Sequence, residues 1–344
     1  MRAVVYDGYG GPAIVREVAP PVCPVDGAVV AVRATGVCRS DWHAWRGHDP
    51  VPLPHIPGHE FAGVVAEIGS AVTSFRVGDR VTAPFVCGCG RCEYCRSGNA
   101  QVCPEQTQPG FTGPGTFADL VRIEGADVNL VRLPDTLDFV SAAALGCRFA
   151  TAYRALVVHG RVTAGQWLAV FGCGGLGLSA IMIGVALGAR VLAVDTTDGA
   201  LRRATGLGAE VTLPSSPVAD LADRVCEITG GGAHVAIDAV GSPALAAAGV
   251  RALRRRGRHV QAGLLLGQHA MTPLPMDLVI SRELEIYGSH GMPAADYPAM
   301  LDAVIGGVLH PGRLVGRTIG LDDAGAALAA MDGAGGSGIT VIVP

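Results

Sequence analysis

The run WLAVFGCGGLGLSAIMIGVALGA, from Trp167 to Ala189, contains no charged residue. A stretch of that length and hydropathy belongs either in a bilayer or in a protein interior. Its glycines argue for the interior. Gly172, Gly174 and Gly177 spell G-x-G-x-x-G directly after WLAVF, which reads as a buried strand, and directly before GLSAIMIGVALGA, which reads as a helix. The first glycine permits a tight turn, the second lets the backbone approach a pyrophosphate, and the third lets the helix pack close to the strand. Free N–H groups at the helix start then hold the diphosphate, with Gly175 and Leu176 part of the same turn. A membrane span is the alternative, but GCGG interrupts it near its start and no aromatic or basic belt closes its far end.

The strand-like run RVLAVD ends on Asp195. A carboxylate there accepts from both hydroxyls of an adenosine ribose and repels a 2′-phosphate, so it points to NAD over NADP. An ordinary strand-end Asp capping the next turn is the plainer reading. Thr196 and Thr197 are neutral, and the nearest basic residues are Arg202 and Arg203.

From Trp167 onward strands and helices alternate: RVLAVD, then ALRRATGLGAE, AHVAIDAVG, ALAAAGVRALRRRG and HVQAGLL. Such alternation implies βαβ crossovers and a parallel sheet covered on both faces. Before about residue 145 the text is β-rich and turn-rich, as in AVVY, VVAVRATG, GVVAEIG and DRVTA, and the C-terminus returns to a strand, ITVIVP. The expected organisation is an α/β chain with a β-rich domain over 1–148 and 288–344 and an inserted nucleotide-binding domain over 149–287.

With 344 residues, 49% hydrophobic and 16% charged, the chain can bury two real cores. Its net charge of -4 and its scattered basic residues speak against nucleic acid as a partner. The exception is the run Arg254, Arg255, Arg256 and Arg258, read as a solvated helix end or turn. MRAVVYDGYGG has no basic segment followed by an apolar one. The expectation is therefore a cytoplasmic protein with no membrane partner.

Two cysteine patterns carry more specific chemistry. Cys89, Cys92, Cys95 and Cys103 stand as C-x2-C-x2-C-x7-C, with glycines at 88, 90 and 98 to let the loop curl. Four thiolates around one zinc leave no open position, so the site is structural. Disulfides suit a chain without a secretory signal badly, and iron–sulfur clusters prefer other spacings. Cys23, Cys87, Cys173 and Cys226 fall outside the pattern. The second set is dispersed: Cys38 in GVCRSDWH, His59 and Glu60 in PGHEFAGVV, and Cys147 in LGCRFATAY. One imidazole and two thiolates make an open zinc site with a fourth position for substrate. Taken singly, Cys38 or Cys147 is more often a buried small hydrophobe and His59 more often a satisfied core histidine. Their joint occurrence with the cysteine loop and the nucleotide motif overturns that reading.

Taken together, GVCRSDWHAWRG, PGHEFAGVVAEIGSAV, VGDRV, the cysteine loop, LGCRFATAYRAL and GCGGLG resemble the zinc-dependent alcohol dehydrogenases of the medium-chain dehydrogenase/reductase superfamily. The resemblance runs over essentially the whole chain, in order and at similar spacing. It implies a GroES-like β-rich catalytic domain with an inserted Rossmann doubly wound parallel sheet. It also implies two zinc ions per subunit, one catalytic and one structural, and NAD(H) as cofactor. The implied reaction transfers a hydride between an alcohol and NAD, or runs in reverse from an aldehyde or ketone, in a homodimer or homotetramer.

The same resemblance distributes roles. Ser40 takes the alcohol proton and His43 passes it outward, while Asp41 orients His59. Glu60 approaches the metal during ligand exchange. Arg39 clasps the pyrophosphate and Thr151 lies on the nicotinamide side. Ala262, Gly263 and Leu264 form the strand end along the nicotinamide ring, and Trp45 and Phe85 line the alcohol pocket. Two positions depart from the family pattern: Ala200 stands where a basic residue often follows the ribose acid, and GSGITVIVP lacks the basic residue often found near the C-terminus. A polyol-type dehydrogenase of the same fold is one alternative, weakened by a thiol rather than a carboxylate at Cys147. A catalytically silent zinc- and nucleotide-binding sensor or scaffold is another, weakened by the intact Ser40–His43 pair.

Overall fold

The computed structural model describes residues 1–333 and 338–344, so Gly336 and Ser337 of GSGITVIVP lie outside the described residues. The chain divides into two units, Met1–Ala150 with Gly291–Pro344, and Thr151–His290.

The second unit is a six-stranded sheet, every neighbouring pair parallel, in the spatial order Val211–Pro214, Arg190–Asp195, Trp167–Phe171, Ala233–Asp238, Leu253–Gln261, Glu285–Gly288. Numbered along the chain within this unit, that order is 3-2-1-4-5-6, the doubly wound Rossmann arrangement. Strand order reverses between Trp167–Phe171 and Ala233–Asp238, which opens a crevice at the strands' C-terminal ends. The uncharged stretch supplies both the first strand and the helix Gly175–Ala186 that follows. All five residues of WLAVF are buried, as is the helix from Gly177 to Gly184. A helix buried on most of its faces has no position for a charge. Side chains such as Leu168, Val170 and Phe171, fully buried here, each contribute about 1.5–3 kcal/mol. Among the described residues no helix is long and apolar enough to cross a membrane.

One sequence expectation is corrected in this unit. The helix read over ALAAAGVRALRRRG ends at Arg251, and Arg254, Arg255, Arg256 and Arg258 lie on the strand Leu253–Gln261. The arginines are accommodated because that end of the strand is solvated and offers partners. Arg256, at φ +60°, pairs with Glu283, Arg254 meets His234, and Arg258 reaches Glu285 and the Gly160 carbonyl.

The first unit is β-rich. Its main sheet runs Val315–Gly320, Ile339–Val343, Ala28–Val37, Glu60–Ile68, Arg80–Thr82, Val131–Arg132, with Leu120–Ile123 also pairing with Ala28–Val37. All pairings except that between Val315–Gly320 and Ile339–Val343 are antiparallel. Val30, Val32, Phe61, Val65, Val81, Val121 and Ile123 form a core on this sheet. The strand Ala28–Val37 ends immediately before Cys38, and Glu60–Ile68 begins immediately after His59. Their antiparallel register pairs Gly36 with Glu60. The sheet thus brings two distant sequence segments side by side.

Candidate active site

Ligand-capable atoms of Cys38, His59, Glu60 and Cys147 all lie within 4.8 Å of one another, in the first unit. Cys38 precedes the short helix Arg39–Trp45, and that helix turns Asp41 back beneath the cluster. Asp41 is fully buried; its Oδ2 accepts from Cys38 N at 2.9 Å, and its Oδ1 accepts from Gly58 N at 3.0 Å and His59 Nδ1 at 2.8 Å. With Nδ1 donating, His59 Nε2 is the free lone pair. It is buried and has no hydrogen-bond partner among the described residues. An orphaned imidazole nitrogen facing two thiols is the donor set of an open zinc site, so these residues fit a metal.

The electrostatics agree. A hydrogen bond from Cys147 holds the Cys38 thiol well below its usual range against the cost of burial, with the Arg148 charge and His59 adding to it. The Cys147 thiol is raised in turn by its bond to Cys38. Burial opposes a charged His59, yet the Asp41 carboxylate beside it keeps its pKa well above the ordinary value. Burial raises Glu60, and Arg148 partly offsets that. A divalent ion replaces the protons such a set would otherwise share.

Around this cluster, Ser40 Oγ stands 3.8 Å from Cys38 Sγ. His43 Nδ1 lies 3.2 Å from His48 Nδ1. The Phe85 and Phe111 rings sit 6.0 Å and 5.1 Å from the His59 ring. Trp45 is packed against Tyr6, Val51 and Leu328, and its indole N–H donates to the Gly11 carbonyl. Arg39 donates to the Met331 carbonyl and lies over the Trp42 ring.

Sequence reasoning missed Arg148, which donates to Glu60 through its backbone N and its guanidinium. It also missed His48 and Phe111. The available signals were slight: a single charge next to a candidate ligand, a second histidine close after His43, and an aromatic residue among the glycines of QPGFTGPGTF.

The four-cysteine loop lies in the same unit. The Cys92 and Cys103 sulfurs are 3.7 Å apart, and the four sulfurs lie within 4.8 Å of one another. Thiolates about 2.3 Å from one zinc stand about 3.8 Å apart at tetrahedral angles. The donor set therefore fits a closed ion. Among the described residues, which include all ten cysteines, none forms a disulfide. A Cβ at Gly88 would come 2.9 Å from Cys95 Sγ, so only glycine leaves the sulfur its place. Buried Asn129 anchors the loop entrance by exchanging hydrogen bonds with Gly88 N and O at 2.8 and 3.0 Å. Backbone N–H groups of Arg91 and Cys92 lower the Cys89 thiol to about 6, toward the thiolate a metal needs.

In the second unit the glycine turn has the shape that its sequence requires. Gly172 adopts φ +96°, and a Cβ at Gly177 would fall 1.7 Å from the Gly172 carbonyl oxygen. A Cβ at Gly174 would meet nothing within 4 Å. That open cradle lies at the start of the helix containing Gly175, Leu176 and Gly177, where a pyrophosphate fits. Asp195 Oδ2 accepts from Cys173 N at 2.8 Å, and Oδ1 accepts from Thr197 N at 3.0 Å, so the acid is fastened to the same turn. Across the crevice, Ala262 N and Gly263 N donate to the Asp238 carbonyl, and the buried Asp238 carboxylate accepts from Gln261 Nε2 at 2.9 Å. That network fixes the segment containing Ala262, Gly263 and Leu264. Thr151 is buried on the helix Ala150–Arg154.

Comparison with known proteins bears on the whole chain. Residues 25–135 match the alcohol dehydrogenase GroES-like domain family, and residues 175–305 match the zinc-binding dehydrogenase family. An alcohol dehydrogenase of Geobacillus stearothermophilus is 37% identical over 292 residues, 84% of each chain. The solved alcohol dehydrogenase TADH from Thermus sp. ATN1 superposes with a TM-score of 0.92 at 30% identity, covering 100% of this chain and 99% of that one. A solved NAD-dependent alcohol dehydrogenase gives 0.89 at 31% identity, covering both chains fully. With both its domains matched and these relatives covering most of its length, the chain belongs to the zinc-dependent alcohol dehydrogenases of the medium-chain dehydrogenase/reductase superfamily.

Proposed function

We propose that this enzyme oxidises alcohols with NAD, or reduces the matching aldehydes and ketones, and that Ser40 and His43 carry the hydroxyl proton. The observation that carries this reading is the buried, unpartnered Nε2 of His59 facing the thiols of Cys38 and Cys147. When bound, zinc supplies Lewis acidity at an alcohol oxygen and NAD accepts the hydride. The chain's own residues do the rest. Asp41 fixes the His59 tautomer so that Nε2 faces inward. Ser40 Oγ, beside Cys38 Sγ, takes up the hydroxyl proton as it releases its own. His43 is held below its ordinary pKa by burial, His48 and Arg39, so it is neutral at pH 7 and able to accept that proton in turn. Phe85 and Phe111 provide apolar walls beside His59 that exclude water.

On the nucleotide side, Gly172, Gly174, Gly175, Leu176 and Gly177 receive the pyrophosphate, and Asp195 selects NAD by accepting from the ribose hydroxyls. The segment Ala262–Leu264 and Thr151 are the contacts assigned to the nicotinamide, and Arg39 to the pyrophosphate. Free thiols throughout the chain support a reducing, cytoplasmic setting. Met271, Met276 and Ile280 are exposed on one segment of the second unit, which supports a homodimer or homotetramer.

A panel of primary, secondary and aryl alcohols, followed by NADH absorbance, tests the reading. Turnover of at least one class is expected, and Ser40→Ala should lower it by about 10²- to 10⁴-fold while zinc and NAD still bind. Wild-type turnover in Ser40→Ala would refute the proton role. Zinc and NAD binding without turnover of any alcohol or carbonyl compound would favour a sensor.

A further inference from the structure

Glu60 is a fully buried carboxylate within 4.8 Å of three candidate metal ligands, yet both its oxygens face a different cation. Oε1 accepts from Arg148 N and from Arg148 Nε, each at 3.0 Å, and Oε2 accepts from Arg148 NH2. The remaining guanidinium nitrogen, NH1, donates to the Val37 carbonyl at 3.0 Å. Two glycines make room for this pair. A Cβ at Gly36 would lie 2.4 Å from Glu60 Oε2 and 2.9 Å from Arg148 NH2, and a Cβ at Gly146 would lie 2.7 Å from Glu60 Cβ. Val37 precedes Cys38, Glu60 follows His59 and Arg148 follows Cys147, so one guanidinium ties together the neighbours of all three ligands.

We infer that Arg148 is a positioning residue that withholds the Glu60 carboxylate from the metal and so keeps the fourth coordination position open. The inference rests on the metal-site reading above. A buried carboxylate must be paired with positive charge, and here two sources compete for it. A bidentate, charge-assisted pairing with a guanidinium satisfies both oxygens in one plane, which a single metal bond does not. Without the guanidinium, the metal is the remaining counter-charge within reach. Glu60 then becomes the fourth ligand, and three protein ligands plus an external one become a closed set of four, as in structural sites. Arg148 thereby separates a site that exchanges ligands from one that only holds its ion.

Cobalt(II) substituted at both metal sites gives a visible spectrum that an external ligand perturbs only where a position is open. Imidazole is the probe, and the four-cysteine ion is the internal reference. In the parent enzyme imidazole should shift the spectrum. Arg148→Met should retain two ions per chain but bind imidazole at least tenfold more weakly. Arg148→Met with Glu60→Gln should regain the response, and Arg148→Lys should recover part of it. If the methionine variant yields no folded protein, Arg148→Gln has the same expectation, because it also removes the charge. Parent-like imidazole binding in the neutral variants would overturn the inference. So would failure of Glu60→Gln to restore the response, or loss of the ion from Arg148→Met, since that would make Arg148 merely structural. A parent enzyme that takes up one ion and shows no imidazole response would overturn the metal-site reading itself, and this inference with it.

Discussion

Replacing Asp41 by asparagine tests how much of the metal site is built by a residue that never touches the metal. Asp41 serves three donors with two oxygens: Cys38 N on Oδ2 at 2.9 Å, and Gly58 N and His59 Nδ1 on Oδ1 at 3.0 and 2.8 Å. Asparagine keeps one oxygen. With that oxygen in the Oδ1 place, the amide NH2 confronts Cys38 N–H, and an orphaned buried donor costs about 1–3 kcal/mol. With the oxygen in the Oδ2 place, the NH2 confronts Gly58 N–H and His59 Nδ1. Nδ1 must then become an acceptor, which moves the imidazole proton to Nε2, the atom that faces the thiols. That tautomer has no lone pair to offer a cation.

Either placement weakens metal binding, and loss of such an orienting carboxylate typically costs 10- to 100-fold in affinity, or about 1.4–2.7 kcal/mol. Zinc content after titration with a graded chelator is the assay. Asp41→Asn should release one ion early while the ion in the four-cysteine loop stays at its parental midpoint. Thermal stability should fall by about 1–3 kcal/mol if the Cys38 N–H is left unpaired. Two ions held at unaltered midpoints would refute the account of Asp41 as the residue that fixes His59.

Three further outcomes follow from the same geometry. Cys95→Ser should lose one zinc and melt lower, because a closed site couples metal binding to folding; full metal content with unchanged melting would defeat the structural assignment. Asp195→Gly should narrow or reverse the preference for NAD over NADP. It should also raise KM for NAD, since Oδ2 holds Cys173 N in the glycine turn at 2.8 Å; an unaltered cofactor ratio would show that Asp195 is not the selector. Burial, His48 and Arg39 lower the His43 pKa, so the imidazole protonates, and ceases to accept, only below the usual value of about 6.5. Alcohol oxidation should therefore fall on the acid side of that value, and His43→Gln should lack this limb; identical pH–rate profiles would remove His43 from the proton path.

What could be read from the sequence depended on how local the physics is. The glycine turn was legible because each of its glycines answers a constraint set within a few residues, as the 1.7 Å approach of a Gly177 Cβ to the Gly172 carbonyl shows. The four-cysteine loop was legible for the same reason, since consecutive thiols must curl round one ion. The strand Leu253–Gln261 was misread at its start because four arginines in quick succession look like a helix end. They suit a strand only because His234, Glu283 and Glu285 wait beside it in space. Arg148 is the sharpest instance. Its partner Glu60 lies 88 positions earlier, brought near by packing of the helical segment Leu145–Phe149 against the strand Glu60–Ile68. No periodicity announces such a pair. The glycines that admit it, Gly36 and Gly146, look unremarkable in a chain with 49 of them. Ligands tend to sit in recognisable local motifs because coordination geometry restricts their spacing. The residues that tune them are chosen by tertiary contact, and a sequence read alone shows the first kind far more readily than the second.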